Sequence, residues 1–113
     1  RFRGDKEPPQ SIEAKCIFDA DKLDVLGAIG AVRVMVYAAL AGTPFYAEPS
    51  AQFIQTGKEV EGELHSAYHE HLFKLKKIEG KLFTQTAREL ARGRGIYLDA
   101  FFEQLIAEIN GER

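Results

Sequence analysis

Three carboxylates fall within six residues, in Asp19-Ala20-Asp21-Lys22-Leu23-Asp24. The segment lies between two apolar runs, where a carboxylate is costly unless it is paired or bound to a cation. On a helix, Asp21 and Asp24 are three residues apart and lie near one face, while Asp19 points elsewhere. Hard divalent cations prefer oxygen ligands of this kind. The plainer alternative is that these aspartates cap the following helix and pair with Lys22 and Arg33, since structural ion pairs leave the same imprint.

A second cluster holds His65, His69 and His71 with Glu63 and Glu70. His65 and His69 are one helical turn apart, a spacing that can chelate zinc. No His follows Glu70 at the distance that the His-Glu-x-x-His signature requires. These histidines read either as packing and polar-face residues or, for His69, as a substrate contact. The basic residues Lys74, Lys77 and Lys81 share a face if their helix persists, and can attract a phosphorylated substrate or simply meet solvent. Arg33 interrupts an apolar run and calls for a carboxylate partner, for which Asp19, Asp24 and Glu48 are candidates. Cys16 reads as a small buried apolar residue. The sequence carries no P-loop, dinucleotide fingerprint or nucleophile elbow.

These groups need helices to position them. Residues 1–10, with Gly4, Pro8 and Pro9, read as a loop. Ser11 is a good N-cap for a helix reaching about Asp21. The next helix covers about Leu23 to Ala41 and is apolar nearly all round, which predicts burial on most faces. Its Gly27 and Gly30 cost helix propensity and point to close approach of another backbone. Gly42 stops it. Residues 43–62 form a long connection, with a short helix over about 50–55. Its aromatics Phe45 and Tyr46 are placed to shape a pocket. From Glu63 to about Ile78 the stripe Leu64, Tyr68, Leu72, Leu75, Ile78 predicts another helix. Thr84 caps the last one, which runs to about Asn110 on the stripe Leu90, Leu98, Phe101, Phe102, Leu105, Ile109. Gly93 and Gly95 are candidate kinks in it.

The chain has 113 residues, 45% of them hydrophobic and 28% charged, with net charge −2. These values fit one globular domain and exclude extensive disorder, a nucleic-acid footprint or an acidic tail. The single Cys16 fits a reducing, cytoplasmic setting. The run from Val25 to Ala41 is short for a membrane span, and a central Arg costs roughly 2.5–3.5 kcal/mol on insertion. No membrane role is therefore expected.

The stretch from Ser11 to Gly30, with Asp19-Ala20-Asp21-Lys22-Leu23-Asp24 followed by Val25-Leu26-Gly27-Ala28-Ile29-Gly30, resembles the last motif of HD-superfamily phosphohydrolases, which reads close to DADRLDAIGAIG. Looser similarity continues through Glu48-Pro49-Ser50, Thr56-Gly57, His65-Ser66, Tyr68-His69-Glu70, Lys74-Leu75 and Phe101-Phe102-Glu103. The resemblance implies an all-α, HD-domain-like helical bundle and a divalent metal ion (Mn, Mg, Co, Ni, Fe or Zn). It also implies a small phosphorylated substrate, such as a nucleotide. That family binds its metal through a His, a His-Asp pair and a later Asp. Carried over, the later Asp is Asp21. Asp24 then becomes a neighbouring catalytic or substrate-side group, Lys22 and His69 become substrate-binding groups, and Asp19 holds a structural hydrogen bond.

The earlier His and His-Asp ligands are absent from this sequence. Arg1-Phe2-Arg3 resembles the residues just after the expected His-bearing helix. The chain therefore reads as the C-terminal part of a single HD-type domain: residues 1–10 a loop, 11–41 the motif and core helices, 43–62 the long loop, 63–110 the C-terminal helices. Alone it is expected to be inactive. The competing reading is a non-catalytic helical interaction module on the same scaffold. An incomplete domain exposes apolar faces and favours a homo-oligomer.

Overall fold

The computed structural model describes residues 8–112, which form an all-helical fold. Helix α1 spans Ile12–Leu23. Ser11 caps it by accepting the Ala14 N–H at 3.0 Å, which satisfies one of the orphan donors of the first turn. The chain then turns: Val25 N–H donates to the Lys22 carbonyl and Leu26 N–H to that of Leu23. Helix α2, Gly27–Ala41, leaves at 64° to α1. No single helix among the described residues is long and apolar enough to cross a membrane.

Two glycines make this corner. Gly27 has φ +69°, a conformation that L side chains resist. A Cβ on Gly30 would stand 2.3 Å from the Val25 carbonyl oxygen. The close approach expected at Gly30 is thus to the corner's own backbone. At Gly27 the tight neighbour is the Arg94 side chain.

Helix α3, Ala51–Thr56, is capped by Ser50 and ends on Gly57. Helix α4 starts later than the apolar stripe predicts. It spans only Ala67–Phe73, because Ser66 serves as its N-cap and residues 63–66 are not helical. Leu64, assigned by periodicity to the buried stripe, is 66% exposed. The chain continues as a 3-10 helix over Leu75–Lys81. Helix α5, Gln85–Ile109, is one continuous helix capped by Thr84, and Gly93 and Gly95 do not break it.

The core gathers Leu23, Leu26, Val34, Ile78, Leu82, Leu98 and Phe102 around α5. Phe102 is enclosed by Tyr68, Phe101 and the His71 ring, which stacks on it at 4.6 Å. Leu90 and Ile109 are exposed, and Ala87 and Ala91 take the buried positions instead. Small side chains there let α5 lie close to its neighbours.

Two further expectations fail. Cys16 is exposed, since α1 buries only Asp19 and Leu23. Helix α2 is buried along one stripe only. Ile29, Val32, Val36, Tyr37 and Leu40 face outward, Leu40 at 81% exposure. The Arg1-Phe2-Arg3 reading lies outside the described residues.

Candidate functional site

The three aspartates of the motif separate by role. Asp19 is buried, and its two carboxylate oxygens accept the Phe83 and Thr84 N–H groups at 2.9 and 2.8 Å. It therefore clasps the start of α5, the structural hydrogen bonding that the sequence implies. It does not cap the helix that follows it. Asp21 is half-buried in the last turns of α1. Asp24 is exposed and forms the C-cap of α1, so the helix ends between the two carboxylates. Lys22 lies over the Phe18 ring, 5.3 Å from its centroid.

Arg33, on α2, reaches back toward this segment. Its Nη1 donates to the Asp24 carbonyl at 3.4 Å and its Nη2 to the Tyr37 hydroxyl at 3.5 Å. Both contacts are at the long limit for a hydrogen bond. The carboxylate partner expected for Arg33 is not there: among the described residues no carboxylate lies within ion-pair distance. Its pKa is raised, first by the Tyr37 hydrogen bond and, against a small burial cost, by the charges of Asp24 and Asp21. Arg33 is held charged without being fully engaged.

Between α2 and α4 lies a cleft of about 380 Å³. Val34, Ala38 and Ala67 line its apolar interior, and Arg33, Tyr37, His65, Glu70 and Lys74 lie along it. Of the loop expected to shape a pocket, only Thr43 lines this one. Phe45 is exposed, and Tyr46 packs on Tyr68 with ring centres 5.5 Å apart.

The histidines divide sharply. His69 is fully buried, its Nε2 2.8 Å from Glu63 Oε2 and its Nδ1 2.8 Å from Ser66 Oγ. With Glu63 ionised, the pattern assigns the proton to Nε2, and Nδ1 accepts from the Ser66 hydroxyl. Glu63 also accepts from the Ser50 hydroxyl at 2.6 Å, the Ser50 N–H at 2.9 Å and the Val60 N–H at 2.9 Å. Burial opposes its ionisation, but these bonds prevail and bring its pKa down to about 2. Glu63 thus ties both ends of the loop carrying α3 to α4. The sequence alone places Glu63 only in a loose cluster, because its main partner, Ser50, is 13 residues away.

His65 sits between two carboxylates, Nδ1 2.6 Å from Glu59 and Nε2 2.5 Å from Glu70. Partial burial works against its protonation, but the two carboxylates outweigh it and raise the pKa. His71 is buried against Phe102 and pairs with Asp99 at 2.9 Å. Lys74 pairs with Glu70, and Lys77 lies over the Phe73 ring. The basic residues therefore do not form one cationic face. Among the described residues, no group of three or more His, Cys, Asp or Glu is arranged to hold a metal ion.

No family model matches the chain. The uncharacterized protein YpgQ of Bacillus subtilis (strain 168) is 35% identical over 103 residues, which cover 91% of this chain and 43% of that protein. The crystal structure of Bacillus subtilis YpgQ in complex with ADP superimposes with a TM-score of 0.69 at 33% identity, over 88% of this chain and 45% of that one. An HD-superfamily hydrolase from Bacillus thuringiensis gives a TM-score of 0.69 at 31% identity, over 88% of this chain and 47% of that one. The chain has the all-helical, HD-like fold of these structures and spans about half their length.

Proposed function

We propose that this chain belongs to a metal-dependent phosphohydrolase of the HD superfamily, acting on a phosphate ester or nucleotide, with Asp21 as its carboxylate for the metal. The observation that carries this reading is the division of labour within Asp19-Ala20-Asp21-Lys22-Leu23-Asp24. Asp19 is spent on clasping α5, whereas Asp21 stands half-buried in the last turns of α1 and Asp24 at its exposed C-cap. Supporting it are the fold shared with a solved HD-superfamily hydrolase and the ADP held by a solved relative, from which we take the nucleotide as substrate class.

The described residues do not by themselves assemble a divalent-metal site, since hard cations take about six or more oxygen ligands and the segment offers two carboxylates. When bound, such a metal polarises a phosphoryl oxygen and lowers the pKa of a water. This chain's own residues bind and orient. Arg33 holds a phosphoryl group through its planar fork of donors, and Asp24 and Lys22 stand on the substrate side. His69, enclosed by Ser66 and Glu63, positions the cleft wall from behind.

Replacing Asp21 tests the reading. In the protein that carries this chain, Asp21→Ala should cut metal-dependent turnover of nucleotides by about a hundredfold or more, as loss of a key electrostatic group does. Bound metal, measured by elemental analysis, should fall in parallel. If metal content and turnover both survive, the assignment is wrong.

The outward apolar stripe of α2 favours a second reading, a non-catalytic helical interaction module. In that case no metal-dependent turnover would be found. Substituting Val32 and Leu40 with charged residues would change association alone.

A further inference from the structure

We propose that His65 is a proton-operated latch on the rim of the cleft between α2 and α4: as the imidazolium it ties Glu59 to Glu70, and on losing its Nε2 proton it keeps Glu59 and releases Glu70.

The geometry requires a charged ring. His65 Nδ1 lies 2.6 Å from Glu59 Oε2, and Nε2 lies 2.5 Å from Glu70 Oε2. Both partners are carboxylates, which only accept, so both ring nitrogens must donate. A neutral imidazole has one N–H and one lone pair. Left in place, its bare nitrogen would set a lone pair against a carboxylate oxygen at hydrogen-bond distance, and that contact has to part. The proton passes to bulk water, which reaches the ring because the His65 side chain is 39% exposed. The arrangement therefore has two states, complete with the proton and half-broken without it.

The surroundings decide which half breaks. Glu59 belongs to the connection between α3 and α4, and its backbone is fixed. Gln52 Nε2 donates to the Lys58 and Glu59 carbonyls at 3.1 and 3.4 Å, and the Val60 N–H donates to Glu63. The second imidazole beside Glu59, that of His69, stands 4.0 Å away with its Nε2 already given to Glu63. Glu70 has another cation, Lys74, at 3.4 Å along α4. The remaining proton thus stays on Nδ1 with Glu59, and Glu70 turns to Lys74. Across the cleft α2 presents Arg33 and Tyr37, the first adding positive charge that favours loss of the His65 proton.

The latch bears on the cleft because His65 and Glu70 both line it. Ser66, between them in the chain, is the N-cap of α4, so the His65–Glu70 contact also pins the incoming chain to the first turn of that helix. Its release turns a fixed part of the rim into a movable one. Partial burial opposes the charge on His65, but Glu59 and Glu70 outweigh it and hold the pKa above the ordinary 6.5. The latch is closed below 6.5 and opens as pH rises through the raised value.

The test is NMR of the whole chain with 15N-labelled histidine, recorded from acid to alkaline pH together with the side-chain signals of Glu70 and Lys74. Below its midpoint His65 should show both ring nitrogens protonated, and above it the Nδ1–H tautomer alone. The Glu70 and Lys74 signals should step at the His65 midpoint, which a histidine with a packing role alone would not make them do. In His65→Gln that step should vanish. Glu70→Gln should lower the His65 midpoint and stop the Lys74 signal from following it, and this variant carries the test if His65→Gln does not fold. An Nε2–H tautomer above the midpoint overturns the proposal. So do Glu70 and Lys74 signals indifferent to His65, or a His65 midpoint unmoved in Glu70→Gln.

Discussion

Asp19 and Thr84, 65 residues apart, are joined by a carboxylate oxygen that accepts the Thr84 N–H at 2.8 Å. The other oxygen takes the Phe83 N–H. Thr84 in turn caps α5 through its own side chain, which accepts from Ala87. One buried side chain thus fixes the corner from which the longest helix departs, and it does so from inside the motif that carries the proposed metal carboxylate.

Asp19→Ala leaves two half-buried N–H groups without their acceptor. The cost is about 1–3 kcal/mol, from the stranding of these half-buried donors. Urea unfolding followed by circular dichroism measures it. Asp19→Asn keeps an acceptor and should lose less. Equal stability of wild type and Asp19→Ala would mean that the clasp is not what holds α5.

The pH dependence of stability has two limbs with different owners. His65 has its folded pKa raised above the ordinary 6.5 by Glu59 and Glu70. Its contribution is complete below 6.5 and is lost as pH rises through the folded value. Glu63 has its pKa lowered from 4.5 to about 2. Its contribution is present above 4.5 and is lost as pH falls toward 2. Thermal midpoints recorded across both ranges should show each limb. His65→Gln should flatten the alkaline one and Glu63→Gln the acid one. A His65 resonance titrating at or below 6.5 by NMR would remove the first limb.

Gly57 ends α3 with φ +78°, and a Cβ there would stand 2.1 Å from the Phe73 ring. Gly57→Ala should destabilise by about 2–3 kcal/mol, combining left-handed strain with a forced ring movement. In a Phe73→Ala background the steric part is absent, and Gly57→Ala should cost only about 1 kcal/mol of backbone strain. No cost of Gly57→Ala in that background would show that the backbone conformation costs nothing.

Much of this architecture is legible along the chain because its signals are local. Ser11 and Thr84 announce helix starts, and Gly42 announces a stop. The structural role of Asp19 is expected from its motif, although its partners lie at the start of α5. What stays hidden depends on distant contacts. Periodicity through Leu64 extends α4 too early, because nothing local shows that Glu63 is claimed by Ser50. Arg33 calls for a carboxylate and instead finds a carbonyl and a phenol. The cleft itself is invisible along the chain, because alanines that line a hollow look, in sequence, like alanines that pack a core.

The outward stripe of α2, from Ile29 to Leu40, is already in contact with water in the folded chain. Unfolding cannot hydrate that surface again. The calorimetric signature of this chain should therefore be a heat-capacity increment below the usual value of about 12–15 cal/mol/K per residue. Its stability curve should be correspondingly flat, with weak cold destabilisation. Any condition that dries the stripe would steepen the curve.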